Sequence, residues 1–171
     1  MITREISGDI VATLAHTLMK PKADKRVFIG QGCNCFIRQG SGIAGQLRQF
    51  PEIFQADEDY GRFGDPMKLG EFSRATLGVN PLDPDAVVYN MYTQFSMGTN
   101  ERHVEYSAIK QAVKNVCLDM LDCGDEPLYL PLIGAGLAGG DWEIIRNVIH
   151  EASGKQAVVI VHFDQGRLLD W

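Results

Sequence analysis

PLIGAGLAGGDW, residues 131–142, decides how the rest of the chain is read. The short apolar strand PLYL, residues 127–130, precedes it, and EIIRNVIHEA, with apolar residues at helical spacing, follows it. The order is strand, glycine-rich turn, helix. Four glycines, Gly134, Gly136, Gly139 and Gly140, fall in this turn. Glycine permits backbone angles closed to other residues and leaves no Cβ in the way of a ligand. Main-chain N–H groups in such a turn, backed by the positive end of the next helix, suit phosphate, most naturally a diphosphate. No Lys or Arg lies between Pro131 and Ile145, so the cradle works through backbone donors. A Walker loop is excluded because Asp141-Trp142 stands where Lys-Ser/Thr is required. Asp141 reads as the N-cap of the following helix.

Working outward, the same alternation recurs. Strands are expected at Ile2–Ser7, Val27–Gly32, Met67–Leu77, Ala86–Gln94 and Ala157–Phe163. VATLAHTLM reads as helical or irregular, and helices are expected from about Ile43 to Pro51, over PEIFQADEDY, over Glu101–Leu121 and over Asp141 to about Ser153. Residues 57–65, with Glu58, Asp59 and Asp65, read as an acidic, solvated loop. This pattern predicts an α/β sandwich with a mixed, largely parallel sheet covered on both faces, one domain spanning residues 1–171. Ligands of such sheets bind beyond the carboxyl ends of the strands. Asn34 with loop 36–42, Gln94 with loop 95–102, and loop 134–140 all follow strands, so they can share one rim.

Composition narrows the function. The 16 basic and 22 acidic residues leave a net charge of −6, which argues against broad nucleic-acid or anionic-membrane binding. No apolar run reaches membrane-spanning length. The N-terminus MITREISGDI lacks a signal-peptide core, so a cytoplasmic location is expected. The four cysteines, Cys33, Cys35, Cys117 and Cys123, lack zinc-knuckle spacing, and the four histidines are scattered. Buried reduced thiols are expected, with neither metal nor cofactor.

Two readings of the glycine loop remain. Gly134, Gly136 and Gly139 spell the dinucleotide-binding pattern, and Asp164 stands where a ribose-binding carboxylate would lie. The chain finishes seven residues later, so that binding half would be incomplete. The other reading uses more of the sequence. Gly8-Asp9-Ile10 after the first strand, GCNC at 32–35, GSGIA at 40–44 and PLIGAGLAGGDW together resemble the macrodomain family over nearly the whole length. The last motif looks like the branch of ADP-ribose 1″-phosphate phosphatases and terminal ADP-ribose glycohydrolases.

The resemblance implies a three-layer α/β/α fold and ADP-ribose, or a derivative of it, as ligand. Asp9 is expected to accept from the adenine amino group beside the Ile10 backbone. Asn34 is expected at the distal ribose. Ser41, Gly42 and Ile43 would line that ribose and the nearer phosphate. Gly134, Ala135, Gly136, Leu137, Ala138 and Gly139 would wrap the diphosphate. These chemistries match: a carboxylate accepts from an amine, an amide both donates to and accepts from hydroxyls, and glycine N–H groups suit phosphate.

The sequence departs from the family where other branches keep their catalytic groups. An acid expected after the GGGV segment is Ala44. A lysine expected at the end of the central strand is Gln94, and an aspartate expected in the diphosphate loop is Ala138. Phosphate-monoester hydrolysis at the distal ribose, or binding without turnover, is left. Asn34 and His103 are the polar candidates for the catalytic roles, His103 because it is the one histidine placed in a rim loop and an imidazole titrates in the range suited to proton transfer.

Overall fold

The computed structural model describes residues 1–98, 102–123 and 125–171. Six strands, β1 (Ile2–Gly8), β2 (Val27–Asn34), β3 (Phe72–Leu77), β4 (Ala86–Gln94), β5 (Leu128–Pro131) and β6 (Val158–Phe163), form one sheet in the order β1-β6-β5-β2-β4-β3. Every neighbouring pair is parallel except β3 with β4 at the edge. The helices are α1 (Ile10–Met19), α2 (Gly42–Leu47), α3 (Pro51–Asp59), α4 (Tyr106–Asp119) and α5 (Trp142–Ala152).

The layers follow from side-chain alternation along each strand. Phe28, Val87, Tyr89, Met91, Leu130 and Ile160 point to one face and pack with Ile109, Val113 and Val116 of α4 and Ile145 and Ile149 of α5. Val27, Ile29, Val88, Val159 and Val161 point to the other face, against Ile10 and Leu14 of α1, Leu47 of α2 and Ile53 of α3. The central strands therefore need apolar residues at nearly every position, which is why VFIG, AVVY and VVIV are unbroken runs.

Some boundaries differ from the expectations, each for a tertiary reason. The stretch at 67–71 is not strand. Pro66–Lys68 forms a short 3-10 turn capped by Asp65, whose carboxylate accepts from the Met67 N–H at 2.9 Å. The turn sends the Lys68 side chain inward. Helix α3 runs on to Asp59, so Asp57 is helical rather than in a loop. Helix α2 stops at Leu47.

The helix expected from Glu101 begins at Tyr106; residues 99–101 lie outside the described residues, as does Gly124 at its far end. Val104 instead bridges Gln94, and the Glu105 N–H donates to the Thr93 carbonyl at 2.9 Å. Sheet pairing thus takes the backbone groups that an earlier helical turn would use.

Because β1, β2, β4, β5 and β6 run parallel, Gly8, Asn34, Gln94, Pro131 and Phe163 all finish at the same rim. Register slips there: Cys33 pairs with Tyr92, and Asn34 with Gln94. The extra residue, Thr93, makes a bulge beside the site, a device that re-aims neighbouring side chains.

Candidate functional site

Two cavities open on this rim and meet. The larger, about 680 Å³, lies between the 38–44 segment and the 131–138 loop, with Gly32, Cys33 and Asn34 at its floor and Gln94, Met97 and Gly98 along one side. The smaller, about 220 Å³, is bounded by Gly8, Asp9, Ile10, Val11, Val161 and Phe163. Gly42, Ile43 and Pro131 belong to both, so the two form one bent cleft.

Asp9 lines the smaller cavity. One carboxylate oxygen accepts from the Ala12 N–H at 2.9 Å and caps α1; the other accepts from the Gly166 N–H at 2.9 Å. Asp9 is thus a capping residue as well as a wall of the cavity. A carboxylate offers about four acceptor positions, so two remain for a ligand. Ile10 and Val11 supply apolar lining, and Phe163, largely exposed at the end of β6, offers an aromatic face that sequence reading missed. Asp164 is not in the cleft. Its N–H donates to the Gly8 carbonyl at 2.9 Å and its carboxylate accepts from Arg167 at 3.4 Å, the bonds of a strand-end turn.

The glycine loop holds its shape through internal bonds. Gly140 N–H donates to the Gly134 carbonyl at 2.8 Å, and Gly139 N–H to the Gly136 carbonyl at 3.0 Å. His103 N–H donates to the Ala138 carbonyl at 2.9 Å, fastening the loop to the segment before α4. Among the described residues, the N–H groups of Gly134, Gly136, Leu137 and Ala138 donate to no protein acceptor, and these residues line the cleft. The cradle is therefore narrower than the full 134–139 stretch. Ala135 packs into the core beneath the loop, and Gly139 shapes the turn with φ +71°. Neither lines the cleft. Asp141 caps α5 as expected, accepting from the Glu143 N–H at 2.9 Å.

The opposite wall is built by Asn34. Its Oδ1 accepts from the Phe36 N–H at 2.9 Å and the Arg38 N–H at 3.4 Å, and its Nδ2 donates to the Arg38 carbonyl at 2.8 Å. This clamp folds residues 35–38 into a tight loop in which Ile37 has φ +55°, a strained angle for a β-branched residue. Asn34 faces the cleft with one N–H left over. Ser41, Gly42 and Ile43 line the cleft as expected, and the Ser41 hydroxyl makes no capping bond.

Below this wall lies a polar cluster that the sequence did not suggest. Asp57 is fully buried and accepts from Lys68 Nζ at 3.1 Å, the Tyr92 hydroxyl at 2.8 Å and Gln39 Nε2 at 2.9 Å. Gln39 lines the cleft, so the cluster anchors the wall from beneath.

His103 does not reach the cleft. Its ring lies within 3.2 Å of the Ser96 hydroxyl, and a Cβ added to Gly98 would come within 3 Å of its Nε2. The ring sits behind the 96–98 segment and supports it. Cys33 lines the floor, yet burial, aided by the nearby negative charge of Asp57, pushes its thiol well above the ordinary value. It is not a thiolate nucleophile at neutral pH. All four cysteines are free, and Cys33, Cys35 and Cys117 are buried.

No family model matches the chain. A relative from Enterobacteria phage T4, an uncharacterized 17.5 kDa protein in the tk-vs intergenic region, is 38% identical over 170 residues, covering 96% of this chain and 98% of its own. A macrodomain protein from Streptomyces coelicolor superposes with a TM-score of 0.63 at 24% identity, over 93% of this chain and 98% of its own. The chain belongs to the family of the phage protein, and its fold is the macrodomain fold. Thermosipho africanus DarTG, solved in complex with ADP-ribose, superposes with a TM-score of 0.63 at 16% identity. That match covers 86% of this chain and 40% of DarTG. In this fold the bent cleft occupies the rim at the carboxyl ends of the parallel strands, where α/β sheets place their ligands. No helix among the described residues is long and apolar enough to cross a membrane.

Proposed function

We propose that the chain binds ADP-ribose in the bent cleft and hydrolyses its 1″-phosphate derivative slowly. The observation that carries the binding is the order of chemistries along the cleft. An apolar pocket with a carboxylate, Asp9, leads past Gly42, Ile43 and Pro131 to unpartnered N–H groups at 136–138, and then to the amide of Asn34. Adenine, diphosphate and distal ribose present the matching groups in the same order. The ADP-ribose in the structure of DarTG, which shares the fold, supports this choice of ligand.

In the hydrolysis, water attacks phosphorus and the bond to the 1″ oxygen breaks. The water's proton ends on that oxygen, giving ADP-ribose and inorganic phosphate. Backbone donors beside the cleft would stabilise charge on the phosphoryl oxygens in the transition state. The free N–H of Asn34 would orient the ribose or the water. With the Cys33 thiol protonated and His103 behind the rim, the cleft holds no activated nucleophile, so a rate only modestly above background is expected.

Phosphate release from ADP-ribose 1″-phosphate in the presence of a chelator tests the chemistry. Asn34→Asp keeps the acceptor for the Phe36 and Arg38 N–H groups but removes the donor. Release by the parent that is lost in this variant supports the role of Asn34. Saturable binding by the parent without release makes the protein a binding module for ADP-ribose.

A further inference from the structure

Arg38 is the only charged residue among the described residues lining the larger cavity. It takes part in no salt bridge among the described residues, and its guanidinium leans toward the exposed ring of Phe63, 6.0 Å from the centroid. Phe63 is itself braced edge-on by Phe36 at 5.1 Å, and Phe36 by Phe95 at 5.1 Å. The backbone of Arg38 is gripped on both sides by the Asn34 amide, and the strained Ile37 precedes it. Strain of this kind persists where surrounding bonds over-determine it, and it clusters at ligand clamps. The Arg38 backbone is thus fixed, in a loop of unusual geometry, at the Asn34 end of the larger cavity, whose lining carries no other charge among the described residues.

The N–H groups at 136–138, which lack protein acceptors, already offer donors for a diphosphate. The geometry points to Arg38 as the residue that recognises a phosphate monoester on the 1″ oxygen of the distal ribose. A guanidinium presents a planar fork of donors that meets two oxygens of a phosphate at once. The Ser41 hydroxyl, free of any capping bond, lines the same cavity and can share that phosphate. Arg38 therefore selects the 1″-phosphorylated ligand over plain ADP-ribose, a preference that the Asp9 pocket and the glycine loop cannot make because they contact parts common to both. This inference rests on the cleft binding ADP-ribose.

Calorimetric titration on ice of ADP-ribose and ADP-ribose 1″-phosphate into the parent, Arg38→Gln and Arg38→Lys proteins tests it, with product checked by mass in each sample. The parent is expected to prefer the phosphorylated ligand by roughly tenfold, the scale of one charge-assisted interaction at a partly exposed site. Arg38→Gln should bring that ratio to about one, and Arg38→Lys should leave it between, since a point charge lacks the fork. Thermal unfolding should be the same for all three, because Arg38 is exposed. Equal affinities in the parent, or a preference that survives in Arg38→Gln, would overturn the assignment while leaving the ADP-ribose site intact. A parent protein that binds neither ligand would overturn the ADP-ribose reading and the role of Arg38 with it.

Discussion

Asp57→Ala should lower the stability of the protein by ~3–5 kcal/mol, the cost of removing one partner from a buried ion pair. Asp57 is 0% exposed and Lys68 2% exposed, and their charged atoms lie 3.1 Å apart. Without the carboxylate, the Lys68 ammonium has no counter-charge in an interior from which water is excluded. The Tyr92 hydroxyl and the Gln39 amide lose their acceptor at the same time. Tyr92 keeps a contact with Ser73 at 3.1 Å, and Lys68 keeps the Tyr92 ring, 4.2 Å from its Nζ, so part of the loss is absorbed. For a domain of this size the melting temperature should fall by roughly 10 °C.

The double variant Asp57→Leu with Lys68→Met should recover much of that loss, because an apolar pair of similar volume carries no desolvation cost. Thermal unfolding followed by circular dichroism measures both. An Asp57→Ala protein that melts with the parent would mean that Lys68 finds water, and that the cluster is not the anchor described. Because Gln39 ties the cluster to the wall of the cleft, weaker ligand binding should accompany the loss of stability.

Gly136→Val should do the reverse, weakening binding strongly while leaving the fold alone. A Cβ built at Gly136 meets nothing within 4 Å, and the backbone there lies outside the left-handed region. Valine can therefore be accommodated by the protein without strain. Its methyl groups would stand among the free N–H groups of the cradle, where a diphosphate must come close. Forcing such an overlap costs ~2–3 kcal/mol, about 30–150-fold in affinity. Gly134→Val is the contrasting variant. Gly134 has φ +72°, and its added Cβ would lie 2.7 Å from Val104, so that substitution should damage the fold itself. If Gly136→Val melts normally and binds ADP-ribose like the parent, the cradle is somewhere else.

The contrast between these two glycines also marks how far sequence reading went. The strand–loop–helix order around 131–142, the parallel sheet and the shared rim were legible because unbroken β-branched runs and helical apolar spacing are local patterns. Which glycine serves the backbone and which serves the ligand was not, since that depends on Val104 arriving from another segment. Asp57 was misread for the same reason. In FQADEDY the neighbouring acids are exposed, and composition cannot single out the one that faces Lys68, eleven residues on. Asp9 was found by motif, but its partner Gly166 lies 157 residues away and its capping role competes for the same oxygens. His103 was expected at the cleft because it falls in a rim loop; which side of that loop the ring takes is set by Ser96 and Gly98. Phe163 gave no signal beyond ending a strand, and Arg38 none beyond being a cation in a glycine-bearing loop.

The claim on which the rest depends is that the bent cleft takes ADP-ribose as a whole. Calorimetry of the parent protein with ADP-ribose, ADP and NAD in metal-free buffer tests it directly. One saturable site for ADP-ribose is predicted, with ADP weaker because it leaves the Asn34 end empty, and with NAD weaker because nicotinamide must enter beside Arg38. No heat with millimolar ADP-ribose, or a preference for NAD over ADP-ribose, would contradict it.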